Sequence, residues 1–147
     1  MGLREAVKVC FQDYYTFSGR ATRSEYWWFI LFCVIGSVIL STIDQIVFGA
    51  NRLLGLSGLF GMLTLLPQIA VAWRRMHDIG RPGAMNLLPA VPLVPLLSGL
   101  LRGGSGVGGS LAVFLLGMSV VLMMVVVVML ILPSQPGANR YGDPAPD

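Results

Sequence analysis

Four long apolar runs divide the charged residues of this chain into short segments, and this pattern constrains the fold more than any other feature. The runs cover residues 26–48, 56–73, 84–101 and 111–132. A helix of about 20 apolar residues is long enough to cross the hydrocarbon core of a bilayer. The sequence therefore predicts an all-α membrane protein, folded as a single domain with a bundle of about four transmembrane helices.

The composition agrees with a chain that lies mostly in lipid. Of the 147 residues, 55% are hydrophobic and 12% are charged, whereas soluble domains carry roughly 25% charged residues. The net charge of +3 comes from basic residues beside the apolar runs. Contact with anionic lipid headgroups explains this charge better than contact with nucleic acid. The single histidine lacks the partners of a zinc site, and no metal, cofactor or nucleic-acid partner is predicted.

The second and third runs contain prolines. Pro67 is predicted to kink the second run, which is marginal in length at 18 residues. Pro89, Pro92 and Pro95 each remove a backbone hydrogen-bond donor from the third run. The third segment therefore either crosses as a broken helix or enters the membrane and returns to the same side.

The distribution of basic residues predicts the orientation. If all four runs cross, eight lysines and arginines lie on one side of the membrane, and Arg52 and Arg102 lie on the other. The positive-inside rule places the side with more basic residues in the cytoplasm. Both termini, including the tail of residues 133–147, are therefore predicted to be cytoplasmic.

The first 17 residues predict an amphipathic helix in the cytoplasmic interface. Leu3, Val7, Phe11 and Tyr14 recur at helical spacing, with charged residues between them. Further along, Thr22 and Glu25 form a capping-box pattern. This pattern predicts that the first spanning helix starts at Thr22.

Three motif blocks stand out from the apolar background: FSGRATRSEYWW at 17–28, RRMHDIGR at 74–81 and SQPGANRYGDP at 134–144. In this order and between these runs, they closely resemble the YhaH-like family of small bacterial inner-membrane proteins, a domain of unknown function. The resemblance covers nearly the whole chain, and it implies a multi-spanning inner-membrane protein with no established activity. The chain departs from the family pattern at residues 82–85, where the family usually has one or two tryptophans, and in a longer glycine-rich loop at 102–110.

The predicted topology places all three blocks on the cytoplasmic face. Because an unpaired carboxylate beside lipid hydrocarbon is costly, Glu25 and Asp78 should each pair with an arginine. Arg74 is one candidate partner for Asp78, four residues further along a helix. The candidate cytoplasmic cluster consists of Arg20, Arg23, Glu25, Arg74, Arg75, His77, Asp78, Arg81, Asn139, Arg140 and Asp143.

Three functions remain open from the sequence. The leading hypothesis is a non-enzymatic membrane protein whose basic and aromatic cytoplasmic face binds lipid headgroups, a protein partner or a second copy of itself. The proline-broken third run suggests a small transporter or channel subunit. His77, Asp78 and the arginines suggest an enzyme acting on phospholipid headgroups. However, adjacent helical residues point about 100° apart, and the sequence ties no nucleophile to them, so no catalytic residue is predicted.

Overall fold

The computed structural model describes residues 1–49, 55–101 and 109–145. Arg52, Arg102 and most of the glycine-rich loop lie outside these ranges. The helices are α1 (Leu3–Gln12), α2 (Arg23–Phe48), α3 (Leu56–Asp78), a 3-10 helix (Gly83–Ala90), α4 (Leu93–Leu101) and α5 (Gly109–Ile131). Of these, α2, α3 and α5 are long and apolar enough to cross a membrane. The protein is therefore an all-α membrane protein, as the sequence predicts.

The helix boundaries follow local capping signals as well as hydropathy. The Thr22 hydroxyl accepts a hydrogen bond from the backbone N–H of Glu25 at 3.1 Å, which confirms the predicted start of α2. In contrast, α3 runs to Asp78, five residues beyond the predicted end at residue 73, and it continues through Pro67. An apolar run predicts only the part of a helix that contacts hydrocarbon. The helix can continue beyond the run when its polar side chains have hydrogen-bond or ion-pair partners.

The third apolar run forms two short helices instead of one long one. The 3-10 helix and α4 meet at Val91 and Pro92, where the prolines prevent a regular α-helix. The Asn86 amide donates to the Ala72 carbonyl of α3 at 2.9 Å, and the Ser119 hydroxyl of α5 donates to the Pro89 carbonyl at 2.5 Å. These bonds hold the 3-10 helix between α3 and α5. Crossing of the membrane by this segment, or its return to the same side, stays a prediction.

The α2 and α3 helices form an antiparallel pair. At the end far from the motif blocks, Asp44 of α2 accepts hydrogen bonds from the backbone N–H groups of Leu56 and Ser57, both at 2.8 Å. Asp44 therefore caps the first turn of α3, whose N–H groups have no partner inside the helix. Midway along the pair, Gly36 lies so close to the Phe60 ring that no larger residue fits there without movement.

The α1 helix packs against α2 through small residues. Ala6 and Cys10 are buried, whereas Leu3 and Phe11 remain about 40% exposed at the edges of the contact. The buried stripe is therefore displaced by one position from the predicted stripe of Leu3, Val7, Phe11 and Tyr14. The helix also ends at Gln12, earlier than the predicted residue 17. Its location in the membrane interface stays a prediction.

The buried core lies toward the end of the bundle where α2 begins and α3 ends. It includes Tyr26 and Phe29 of α2, Met76 of α3 and Leu130 of α5. Elsewhere most large apolar side chains point outward, as expected for helices surrounded by lipid. The packed end also carries the polar motif blocks.

Candidate functional site: an arginine–carboxylate cluster at one end of the bundle

Backbone hydrogen bonds join the three motif blocks into one layer. The N–H of Ala21, just before α2, donates to the carbonyl of Arg74 in α3 at 3.2 Å. The N–H of Gln135, in the tail after α5, donates to the carbonyl of Asp78 at 3.0 Å. The start of α2, the end of α3 and the tail therefore meet at one end of the bundle.

Asp78 is at the centre of this layer. One carboxylate oxygen accepts from Nε of Arg20 at 2.8 Å, and the other pairs with Nη1 of Arg75. The side chains of both arginines are 0% exposed, and that of Asp78 is 2% exposed. Asp78 is therefore a buried carboxylate shared by two buried guanidinium groups. The partner suggested by the sequence, Arg74, does not contact it and points away toward α1.

Backbone carbonyls and the Ser134 hydroxyl accept the other hydrogen bonds that these two arginines donate. Arg20 donates to the carbonyls of Gly137 at 2.6 Å and Gln135 at 2.7 Å. Arg75 donates to the carbonyl of Leu130 at 3.1 Å and to that of Leu132. The last carbonyls of a helix lack partners within the helix, so Arg75 caps the end of α5. Arg20 fastens the tail that follows.

A second ion pair lies beside the first. Arg74 contacts Oδ2 of Asp13 at 2.8 Å and Oε1 of Glu25 at 3.0 Å. Glu25 is buried, and the Cys10 thiol lies 3.9 Å from the same Oε1 atom. Both carboxylates that the sequence expects to pair, Glu25 and Asp78, thus have arginine partners. Arg74 ties the segment after α1 to α2 and α3.

His77 makes packing contacts and no carboxylate hydrogen bond within the described ranges. Its Nδ1 atom lies 3.1 Å from the Gly19 carbonyl, which can only accept, so this nitrogen carries the proton. The imidazole stacks on the Tyr141 ring with 3.8 Å between centroids and 3° between planes. The Asn139 amide donates to the His77 backbone carbonyl at 2.9 Å. These contacts bind the tail to the end of α3.

Four candidate residues lie outside the buried cluster. Arg23, Arg81, Arg140 and Asp143 are exposed. Arg23 reaches the Ile131 carbonyl with a single long contact of 3.5 Å, and the Arg140 guanidinium lies 4.7 Å from the centre of the Tyr141 ring. We call Arg23, Arg81 and Arg140 the basic rim.

Several residues of the cluster are not predicted by the sequence patterns. Asp13 and Cys10 belong to the predicted interfacial segment, and no motif links them to Glu25 or Arg74. Tyr141 lies in the third block, and its aromatic ring was the available signal. Gln135 and Gly137 accept hydrogen bonds from Arg20 through their backbone carbonyls, and no side-chain pattern reveals such contacts.

Burial determines the chemistry of the Cys10 thiol. Removal from solvent raises the pKa of Cys10 to about 12, and the nearby negative charge of Glu25 acts in the same direction. The thiol therefore stays protonated at neutral pH. Because the thiolate is the reactive form, burial makes Cys10 a poor nucleophile at neutral pH.

Comparisons with known proteins agree with the motif blocks. A family model described as "Protein of unknown function (DUF805)" matches residues 14–143. Inner membrane protein YhaI of Escherichia coli strain K12 is 45% identical over 83 residues, which are 56% of this chain and 69% of YhaI. Inner membrane protein YhaH of the same strain is 38% identical over 86 residues, which are 56% of this chain and 70% of YhaH. No solved structure matches significantly. The chain therefore belongs to the DUF805 family and is an integral protein of the bacterial inner membrane.

Proposed function

We propose that the protein is a non-catalytic membrane protein that binds anionic phospholipid headgroups through the basic rim. The end of the bundle that holds the arginine–carboxylate cluster, here called the cluster end, faces the cytoplasm. One contrast supports this proposal. The central arginines, Arg20 and Arg75, direct their donors to protein groups, whereas the rim arginines are exposed and form no ion pair in the described part of the chain. Among the basic residues of the three motif blocks, the positive charge available to a ligand therefore lies at the rim.

The buried cluster supports this function as a scaffold. Breaking one side of a buried ion pair leaves an uncompensated charge and costs roughly 3–5 kcal/mol. The shared carboxylate of Asp78 therefore keeps the end of α3, the start of α2 and the tail in one arrangement. A fixed tail holds the Arg140 guanidinium over the Tyr141 ring. A fixed start of α2 holds Arg23 beside the Ile131 carbonyl at the end of α5.

The aromatic residues beside the rim agree with a position at the headgroup level. Trp27 and Trp28 follow Arg23 in the first turns of α2, and both are more than one third exposed. Tryptophan is enriched at membrane–water interfaces because its ring is apolar and its N–H is polar. Basic residues near an anionic membrane surface each contribute about 1 kcal/mol to binding.

The two alternative functions receive less support from the geometry. An enzyme acting on headgroups would use His77 with a carboxylate, but the adjacent Asp78 carboxylate is held by Arg20 and Arg75, and His77 stacks on Tyr141. A transporter would have charged side chains of its own near mid-membrane. The buried ion pairs of the described residues lie instead at the cluster end of the bundle.

Lipid selectivity tests the rim proposal. The protein would be placed in nanodiscs of mixed phosphatidylethanolamine and phosphatidylglycerol, and the bound lipids would be weighed by native mass spectrometry. We expect phosphatidylglycerol to be enriched on the wild type. Arg81→Gln with Arg140→Gln should reduce the enrichment by up to ~30-fold, since each charge contributes about 1 kcal/mol. The matched control, Arg52→Gln with Arg102→Gln, removes two charges from the side predicted to be periplasmic. Unchanged enrichment in the first pair, or equal loss in both pairs, would contradict the proposal.

Cysteine labelling tests the orientation. In a background with Cys10 and Cys33 replaced by alanine, single cysteines at positions 2, 52, 105 and 143 would be exposed to a membrane-impermeant maleimide in whole cells. The positive-inside rule predicts labelling at 52 and 105 only. Labelling at 143 without labelling at 2 would show that the third segment does not cross the membrane.

A further inference from the structure

An open cleft lies between α2 and α5, and α3 and the 3-10 helix line the rest of it. It has a volume of about 240 Å³, and its lining includes Tyr26, Ile30, Ala72, Val126 and Leu130. Leu65, Leu87 and Met123 also line it and are each at least half exposed, so the cleft is open on the side that faces lipid.

The dimensions fit one extended hydrocarbon chain. Met123 and Leu130 are seven residues apart on α5, a distance of about 10 Å along a helix. At about 30 Å³ for a group the size of water, a volume of about 240 Å³ holds roughly eight such groups. A helix from a second copy of the protein is about 10 Å across and is too wide for this space.

The two amide side chains in the wall, Gln68 and Asn86, do not require a polar ligand. The Gln68 amide donates to the Thr64 hydroxyl at 3.0 Å. The Asn86 amide donates to the carbonyls of Ala72 at 2.9 Å and Gly83 at 3.1 Å. Because these amide donors are satisfied by the protein, the remaining wall is mainly apolar. Its chemistry suits an acyl chain.

A positive group lies at the mouth of the cleft. Arg23 precedes Tyr26 by three residues on α2, and its guanidinium reaches the Ile131 carbonyl next to Leu130 on α5. The guanidinium is exposed and makes no ion pair within the described ranges. Its fork of N–H donors matches the oxygens of a phosphate group. The first N–H groups of α2 lie at the same place and favour an anion.

We propose that this cleft binds one phospholipid molecule, with an acyl chain between α2 and α5 and the phosphate against Arg23. The proposal rests on the proposed function, which places the cluster end at the inner leaflet, and adds a specific site to the general attraction of the rim. Membrane lipid is the occupant because the cleft opens to the bilayer along its apolar side. The charge at its mouth is opposite in sign to the phosphodiester.

Lipid retention tests the site. Protein released from phosphatidylethanolamine–phosphatidylglycerol nanodiscs would be activated by collisions of increasing energy in native mass spectrometry. We expect one phospholipid to persist on the wild type after the others have left. Val126→Trp should fill the cleft and remove this lipid. Val125→Trp, on the outward face of α5, is the matched control and should keep it.

The mouth of the cleft is tested in the same assay. Arg23→Gln should lower the retained fraction about tenfold, as expected for the loss of a charge-assisted hydrogen bond. Arg4→Gln removes an exposed arginine of α1 that belongs neither to the basic rim nor to the cleft lining, and it should leave the retained fraction unchanged. Equal losses in Arg23→Gln and Arg4→Gln would show a general surface effect and overturn the site.

Different outcomes distinguish a folding defect, a failure of the rim function and a failure of the cleft site. Thermal melting checks each variant, and if Val126→Trp does not fold, Met123→Trp at the open side of the cleft replaces it. A folded, cleft-filled variant that keeps the lipid as the wild type does would overturn the proposal. Intact phosphatidylglycerol enrichment with no persistent lipid would refute the site alone. A persistent lipid without enrichment would support the site and refute the function assigned to the rim.

Discussion

Asp78→Asn tests whether the buried cluster holds the end of the bundle together. The substitution keeps the size of the side chain and removes the negative charge between the Arg20 and Arg75 guanidinium groups. Both arginine side chains are 0% exposed, so solvent cannot replace the lost charge. Removing one partner of a buried ion pair costs roughly 3–5 kcal/mol. Since each kcal/mol shifts the melting temperature of a chain near this length by about 2–4 °C, we expect Tm to fall by roughly 6–20 °C.

The measurement is thermal unfolding of the purified protein in detergent, followed by intrinsic tryptophan fluorescence. Asp143→Asn is the matched control, because Asp143 is an exposed carboxylate in the same tail and has no ion pair within the described residues. Exposed substitutions usually change stability by less than about 0.5 kcal/mol. The reasoning would be refuted if Asp78→Asn melted with the wild type, or if Asp143→Asn were equally destabilised.

Two further predictions concern α1 and the third apolar segment. The raised pKa of Cys10, about 12, predicts very slow maleimide labelling at pH 7 that accelerates as pH rises toward the pKa. A cysteine at position 2 in a Cys10→Ala background should label at the ordinary rate, and equal rates would contradict the burial of Cys10. Gly83→Ala should destabilise the protein by about 1–3 kcal/mol, because a Cβ atom there would overlap the Trp73 indole. Gly117→Ala, in open space within α5, should instead be neutral or stabilising by up to about 1 kcal/mol, and thermal melting of the two variants distinguishes these outcomes.

The features that depend on neighbouring residues could be predicted from the sequence. The start of α2 follows from Thr22 and Glu25, whose spacing places the hydroxyl next to the backbone N–H. The long apolar helices follow from hydropathy, and the departure of the third segment from a regular α-helix follows from its prolines. Each of these depends on a few adjacent residues and the surrounding lipid.

The partners that come from different helices could not be predicted, because they depend on how the helices are arranged around α3. Arg74 and Arg75 are adjacent, and the turn of about 100° between them directs one toward α1 and the other toward α5. Only the positions of those helices decide that Arg74 meets Asp13. Arg75 and Asp78 lie three residues apart on α3, so helical spacing alone allows their pair. The spacing of Arg74 and Asp78 alone pointed to a different pair.

The contacts between Arg20 and the tail have a consequence for synthesis. Arg20 is made early, but two of its acceptors are the carbonyls of Gln135 and Gly137, which are synthesised 115 and 117 residues later. Until then, the donors of a group destined for burial must be satisfied by water or lipid phosphate. We therefore expect chains truncated at residue 133 to insert but to be degraded faster in a pulse-chase experiment than chains that contain the tail. Burial of Arg20 is completed only once the tail after α5 has been made.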